Sequence, residues 1–203
     1  MTLFARKQPR EWPDPVAETA ARVWLDLRRH SLKSLVVTGC RGGEGATTLA
    51  EALARVAQQI DGRRVLLIDA NPIAPDLSSR LAAGADREDP AARITIAPGI
   101  TLCPGLAAGS VLPPDAELTR FQDQAQKAHD LLIWDSRAIS LSLDTRRLIG
   151  LVGLVVLVTQ SDVTRADHLA AAMNEIAALS ARPLAVIRNR AGRTPFSISA
   201  VQD

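Results

Sequence analysis

The stretch Val36–Leu53, "VVTGCRGGEGATTLAEAL", decides the fold. A short apolar run enters a glycine-rich loop, and an amphipathic pattern leaves it. Gly42, Gly43 and Gly45 let the backbone turn tightly and aim N–H groups inward. The helix that comes next adds the partial positive charge of its N-terminus. The pattern is close to the phosphate-binding loop G-x-x-x-x-G-K-[ST], with one departure. Gly45 and Thr47 are in place, and Ala46 stands where lysine is expected. A cradle of backbone N–H groups does not depend on that side chain. Thr47 supplies a hydroxyl of the kind that ligates magnesium. What Ala46 removes is a point charge on the β- and γ-phosphates. Losing one such group slows a reaction by about 10²–10³. Arg41 can return part of that charge from inside the loop. The candidate nucleotide contacts are therefore Arg41, Gly42, Gly43, Glu44, Gly45, Ala46, Thr47 and Thr48.

Working outward, short apolar runs read as buried strands at Ser34–Gly39, Arg63–Ala70, Gly99–Gly105, Asp130–Ser136, Gly153–Thr159 and Pro183–Asn189. Between them lie helical patterns. Asp14 and Pro15 mark the N-cap and first position of one, with Val16, Ala20, Val23, Trp24 and Leu27 on its apolar face. A second starts near Ala46, a third spans Asp115 to about His129, and a fourth turns Leu169, Met173, Ile176 and Leu179 inward. Continuous apolar strands alternating with amphipathic helices predict an α/β fold, a doubly wound, mostly parallel sheet with helices on both faces. Leu148–Val158 reads as a turn followed by a buried strand, and residues 71–98 as a surface excursion. Residues 1–13 read as a loose tail, 14–193 as a single domain and 194–203 as a C-terminal tail.

Sheets of this kind bind ligands at the carboxyl ends of their strands. Gly39, Asp69, Asp135 and Asn189 all fall there. Asp69 and Asp135 can orient a water or, with Thr47, hold magnesium. The plainer reading is that each carboxylate caps the next helix.

Composition excludes other classes. The chain has 203 residues, enough for one sizeable core, and a net charge of +2 from 24 basic and 22 acidic residues, which gives no basis for a nucleic-acid partner. Cys40 and Cys103 have no metal-ligand spacing, which predicts a reduced, cytoplasmic protein with Cys40 as a small apolar filler. No apolar run is long enough to span a membrane. His30, His129 and His168 are isolated and read as surface residues.

Several phrases resemble the bacterial tyrosine kinases of capsule and exopolysaccharide synthesis, the CpsD/CapB type and the cytoplasmic domain of the Wzc type, within the MinD/ParA branch of P-loop ATPases. The likeness runs from about Asp14 to Gly192. "LKSLVVTGCRGGEGATTLAEALA" is similar to the family's Walker A phrase "KSLLVTSxxPGEGKTTxAxNLA". "RRVLLIDANPIAPDL" resembles its Walker A′ phrase "KRVLLIDADLRRPxL", and "DLLIWDSRA" its Walker B phrase "DxVIIDTPP". "LAVIRNRAG" resembles "LGVVLNRxG", whose asparagine touches adenine in this branch and corresponds to Asn189. The resemblance implies ATP or ADP with magnesium as cofactor, Asp69 and Asp135 as the chemical carboxylates, and Thr47, Asp69 and Asp135 as the magnesium side.

The departures from the family are systematic. The Walker lysine is Ala46, the second aspartate of the Walker A′ pair is Asn71, and Arg137 and Ala138 replace the prolines after Asp135. The chain holds no tyrosine, so the family's autophosphorylation cluster is absent. In the self-association motif E-x-x-R-x-x-R, Glu18 is kept but Ala21 and Trp24 occupy the arginine positions. The resemblance therefore implies pathway and partners rather than kinase activity. It predicts a cytoplasmic subunit, peripheral at the inner membrane through a polysaccharide co-polymerase, chain-length or export protein. Self-association or pairing with an active homologue is implied too. The alternative is a MinD/ParA-type ATPase switch, of which cellulose secretion has an accessory form, that binds ATP and dimerises without the lysine.

Overall fold

The computed structural model describes residues 14–82, 92–106, 111–191 and 194–200. The expected N-terminal tail lies outside the described residues. Along the chain run α1 (Asp14–Leu27), β1 (Ser34–Gly39), α2 (Ala46–Asp61), β2 (Val65–Ala70), α3 (Asp76–Leu81), β3 (Ile94–Ala97) and β4 (Ile100–Cys103). Then come α4 (Asp115–Ala128), β5 (Leu131–Ser136), α5 (Leu143–Val152), β6 (Leu154–Gln160), α6 (Ala166–Ala178), β7 (Arg182–Ala191) and β8 (Thr194–Ala200). The strands form one sheet in the order β3-β4-β2-β5-β1-β6-β7-β8. Strands β4 to β7 are parallel, and the two edges, β3 and β8, are antiparallel.

Successive strand residues point to opposite faces, and both faces are covered. Leu35, Val37, Leu67, Ile133 and Val156 pack against α1 and α2 through Trp24, Leu27, Leu49 and Leu53. Val36, Leu66, Ile68, Leu132, Trp134 and Leu157 pack against Leu118 of α4, Leu148 and Ile149 of α5 and Ile176 of α6. Burial on both sides explains why these strands read as unbroken apolar runs. The indole N–H of Trp134 donates to Ser34 Oγ at 2.9 Å, so the large ring is buried with its polar atom satisfied.

Three segments differ from expectation. The surface excursion contains α3 and β3, which are short and carry no long period to read. The run from Leu148 opens as the last turn of α5, with Gly153 as its left-handed C-cap, before β6 begins at Leu154. A buried helix end and a buried strand are equally apolar, so periodicity cannot separate them. Finally, the expected C-terminal tail is, over Thr194–Ala200, the edge strand β8, paired with β7 from Ala185 to Ala191. Its Pro195 lacks an N–H, which an edge strand tolerates. Among the described residues no helix is long and apolar enough to cross a membrane.

Candidate functional site

The loop between β1 and α2 lies at the centre of the sheet, where β1 sits between β5 and β6. The chain leaves β1 for β2 on one side and later crosses from β5 to β6 on the other side of β1, and the crevice at such a reversal is the usual ligand site. Gly45 adopts φ +97°, a left-handed conformation that sets the direction of α2. Gly39 is needed for a different reason. A Cβ there would meet Glu44 Oε2 at 2.6 Å and Arg41 O at 2.7 Å. The first turn of α2 holds Ala46, Thr47 and Thr48, with no side-chain cap and no acidic residue. Its N-terminal N–H groups and dipole therefore suit an anion.

Glu44 does not face that anion position. It is buried and braces the loop from behind. Its Oε2 accepts the Arg41 N–H at 2.7 Å and its Oε1 accepts the Thr164 hydroxyl. Asn189 closes the brace, donating from Nδ2 to Glu44 O at 2.8 Å. The same asparagine that the sequence marks for a base contact thus has one of its two amide N–H donors engaged by the loop. Ser140 holds the other side, donating to Cys40 O at 2.6 Å. The Cys40 thiol is pushed up to about 12, by burial first and then by the Glu44 carboxylate, so it stays protonated and acts as a filler. Arg41 is exposed, and no described residue pairs with its guanidinium. Arg137 donates to Leu141 O at 3.3 Å.

Asp69 and Asp135 are register partners on β2 and β5, and both are buried. Their surroundings are unlike. Asp69 Oδ2 accepts the Ser78 N–H at 2.8 Å and meets Ser78 Oγ at 2.6 Å, and Oδ1 accepts the Asn71 N–H at 3.2 Å. It caps α3 through the Ser78 amide. Burial raises its pKa, against the lowering effect of these bonds. Ser78 Oγ also lies 2.5 Å from Pro104 O. Asp135 lies beside the Thr47 hydroxyl, yet its Oδ1 is buried with no partner among the described residues. Its pKa is pushed well above the usual carboxylate range, by burial first and by neighbouring Asp69 next. Arg80 and the Thr47 bond act in the opposite direction.

An orphaned carboxylate oxygen beside a threonine hydroxyl, at an uncapped helix start, fits a magnesium–phosphate group. Thr47 and Asp135 would hold the metal, and the backbone of Gly45 to Thr48 would hold the phosphate. When bound, the metal neutralises phosphate charge. Among the described residues there is no cluster of three or more His, Cys, Asp or Glu side chains able to hold a metal by themselves. Ser78, Thr164, Ser140 and Arg80 belong to the site but carry no motif of their own. Each lies on a segment whose approach to the loop is set by the chain's return across the sheet.

The family model described as cellulose biosynthesis protein BcsQ matches residues 32–81, which hold the loop, α2, Asp69 and α3. The kinase domain of Escherichia coli tyrosine kinase ETK is similar at a TM-score of 0.66 and 20% identity, over 90% of this chain and 80% of that one. The BceF tyrosine kinase domain is similar at a TM-score of 0.67 and 22% identity, over 86% and 75%. Cobyrinic acid a,c-diamide synthase from Mycobacterium smegmatis, solved with ADP and magnesium, is similar at a TM-score of 0.61 and 18% identity, over 81% and 78%. The chain has the fold of the P-loop ATPases. At these identities the likeness speaks to fold. Among curated proteins none matches the chain significantly.

Proposed function

We propose that this P-loop protein is a nucleotide-binding, non-kinase subunit of a machinery for synthesis or export of a surface polysaccharide. The observation that carries the nucleotide half of the reading is the orphaned Asp135 Oδ1, set beside Thr47 at the uncapped start of α2. The non-kinase half rests on chemistry the chain lacks. Ala46 leaves the phosphates without the loop lysine, Asn71 replaces a carboxylate, and no tyrosine is available to accept a phosphoryl group. Backbone N–H groups bind ground-state phosphate, whereas moving it calls for charge that strengthens in the transition state.

The self-association contact is altered in the same direction. Trp24 is buried in the core and its Nε1 donates to Asp61 at 2.8 Å. Glu18 pairs with Arg22 of its own helix, and Arg28 with Asp61. Neither arginine occupies a motif position, and both make their pairs within the chain. The partner we propose is an inner-membrane polysaccharide co-polymerase or export protein, which would hold this chain at the cytoplasmic face.

A second reading, an ATPase switch that dimerises on ATP, is favoured by the BcsQ match over the loop-bearing segment. Two measurements separate the readings. Calorimetry with ATP or ADP, with and without magnesium, should show magnesium-dependent binding. No binding at millimolar nucleotide sinks both. Light scattering with ATP then decides: a stable monomer without phosphotransfer to a tyrosine-bearing partner supports the subunit reading, and an ATP-driven dimer with turnover supports the switch.

A further inference from the structure

Ala46 leaves the phosphate position without its cation, so the question is whether another element supplies one. Arg41 is on the loop but exposed, and Arg137 is turned toward Leu141. Arg80, on α3, is placed differently. It is half-buried, and its Nε is fully buried with no hydrogen-bond partner among the described residues. Its NH2 lies 3.4 Å from Oε2 of Glu51, a buried residue one helical turn after Thr47 on the same face of α2. It is also near enough to Asp135 to act on its charge. Arg80 is thus tied to α2 one turn beyond Thr47 and lies within electrostatic reach of the carboxylate of β5.

Glu51 is shared between two arginines, and Arg80 is the partner of its Oε2. Arg55 already meets Glu51 Oε1 from Nε at 3.3 Å and NH2 at 3.0 Å. The longer Arg80 contact to Oε2 is a tether that holds the guanidinium in place, and its buried Nε is left without a partner among the described residues. A buried guanidinium donor without a partner is costly, and a ligand acceptor removes that cost. A planar guanidinium matches phosphate oxygens well, and it delivers its charge from α3 without a lysine in the loop.

We propose that Arg80 is the cation of this phosphate site, reaching from α3 the ligand that the loop lysine would otherwise meet. This rests on the reading that the loop binds a nucleotide phosphate. It names the group that recognises the phosphate and makes α3 part of the site. Charge-assisted bonds of this kind correspond to about a 10–100-fold change in affinity.

The test is calorimetric binding of Mg-ATP and of adenosine to four proteins: wild type, Arg80→Gln, Arg80→Lys, and Arg80→Gln combined with Ala46→Lys. Arg80→Gln keeps much of the stem's packing and Arg55 still pairs with Glu51, and a melting curve checks that each variant is folded. The expected result is a 10–100-fold loss of Mg-ATP affinity in Arg80→Gln, with adenosine binding unchanged. Arg80→Lys should recover part of the loss, and Ala46→Lys should restore the double variant. The proposal is overturned if folded Arg80→Gln binds Mg-ATP like wild type, or if Gln and Lys variants bind alike. It is also overturned if adenosine binding falls equally. If wild type itself binds no Mg-ATP, the nucleotide reading falls with it. If wild type binds and only the variants fail to differ, the nucleotide reading stands and Arg80 is not its cation.

Discussion

Asp69 and Asp135 face each other across one rung of the β2–β5 ladder, and both end an apolar strand. By pattern they are twins. In the fold, Asp69 has three donor contacts, two from Ser78 and one from Asn71, whereas Asp135 keeps a buried oxygen with none. The difference lies in the path of the chain beyond each strand. After β2 the chain folds back as α3 and presents Ser78 to the carboxylate. After β5 it leaves through a 3₁₀ turn, Ile139–Leu141, that braces the phosphate loop through Ser140 and leaves Asp135 to Thr47. One carboxylate holds structure, and the other holds unmet capacity. Placement beside the loop is therefore not enough to assign a metal ligand.

The largest effect should come from breaking the saturated member. Asp69→Ala strands the buried Ser78 donors and the half-buried Asn71 N–H and should lower stability by about 2–4 kcal/mol, measured by urea unfolding. A loss near zero would show that α3 does not depend on this cap. The orphaned member should behave in the opposite way. Asp135→Asn should raise stability at pH 7 by about 1–2 kcal/mol, while removing the magnesium dependence of nucleotide binding. The sign comes from linkage. The folded pKa of Asp135 lies above the unfolded one, so the folded state binds the proton more tightly. The stability this contributes is complete below the ordinary carboxylate pKa and is lost as pH rises through the raised folded value. Unfolding at pH 4 and pH 8 should show the Asn variant gaining most at the higher pH. An equal gain at both would contradict the buried-charge account.

The smallest effect belongs to a third aspartate, at the other end of β5. Asp130 is partly exposed to solvent, and its bonds from Arg64 hold its pKa down at about 2. Its contribution is present above the unfolded pKa and fades as pH falls toward 2. Screening keeps such pairs weak, so Asp130→Asn should shift the melting temperature by less than about 2 °C, and less still in high salt. A shift as large as that of Asp69→Ala would mean that exposure is a poor guide to these three carboxylates.

Much of this molecule is legible in order along the chain. The strand at Ser34–Gly39, the loop, the helix from Ala46 and the strands ending at Asp69, Asp135 and Asn189 can be read from apolar runs and glycine punctuation. These are local features, set by backbone sterics and by burial on both faces of a parallel sheet. The missing lysine and the missing tyrosines are likewise facts of sequence alone. The short elements were not legible, because α3 and β3 offer fewer residues than a period needs and β8 forms only because β7 presents an edge to pair with.

Which polar groups meet was decided in three dimensions. Glu44 turns behind the loop because Thr164 and Asn189, distant in sequence, arrive there with it. Asp69 is saturated because α3 brings Ser78 back to it. The guanidinium of Arg80 is set near Asp135 by the packing of α3 beside α2. Sequence determined that this chain builds a phosphate cradle from backbone, since glycines and a helix start are sufficient for that. Only the tertiary structure decided which carboxylate was left unpaired and which arginine stands beside it, since hydrogen bonds between remote residues are fixed by how the chain crosses the sheet.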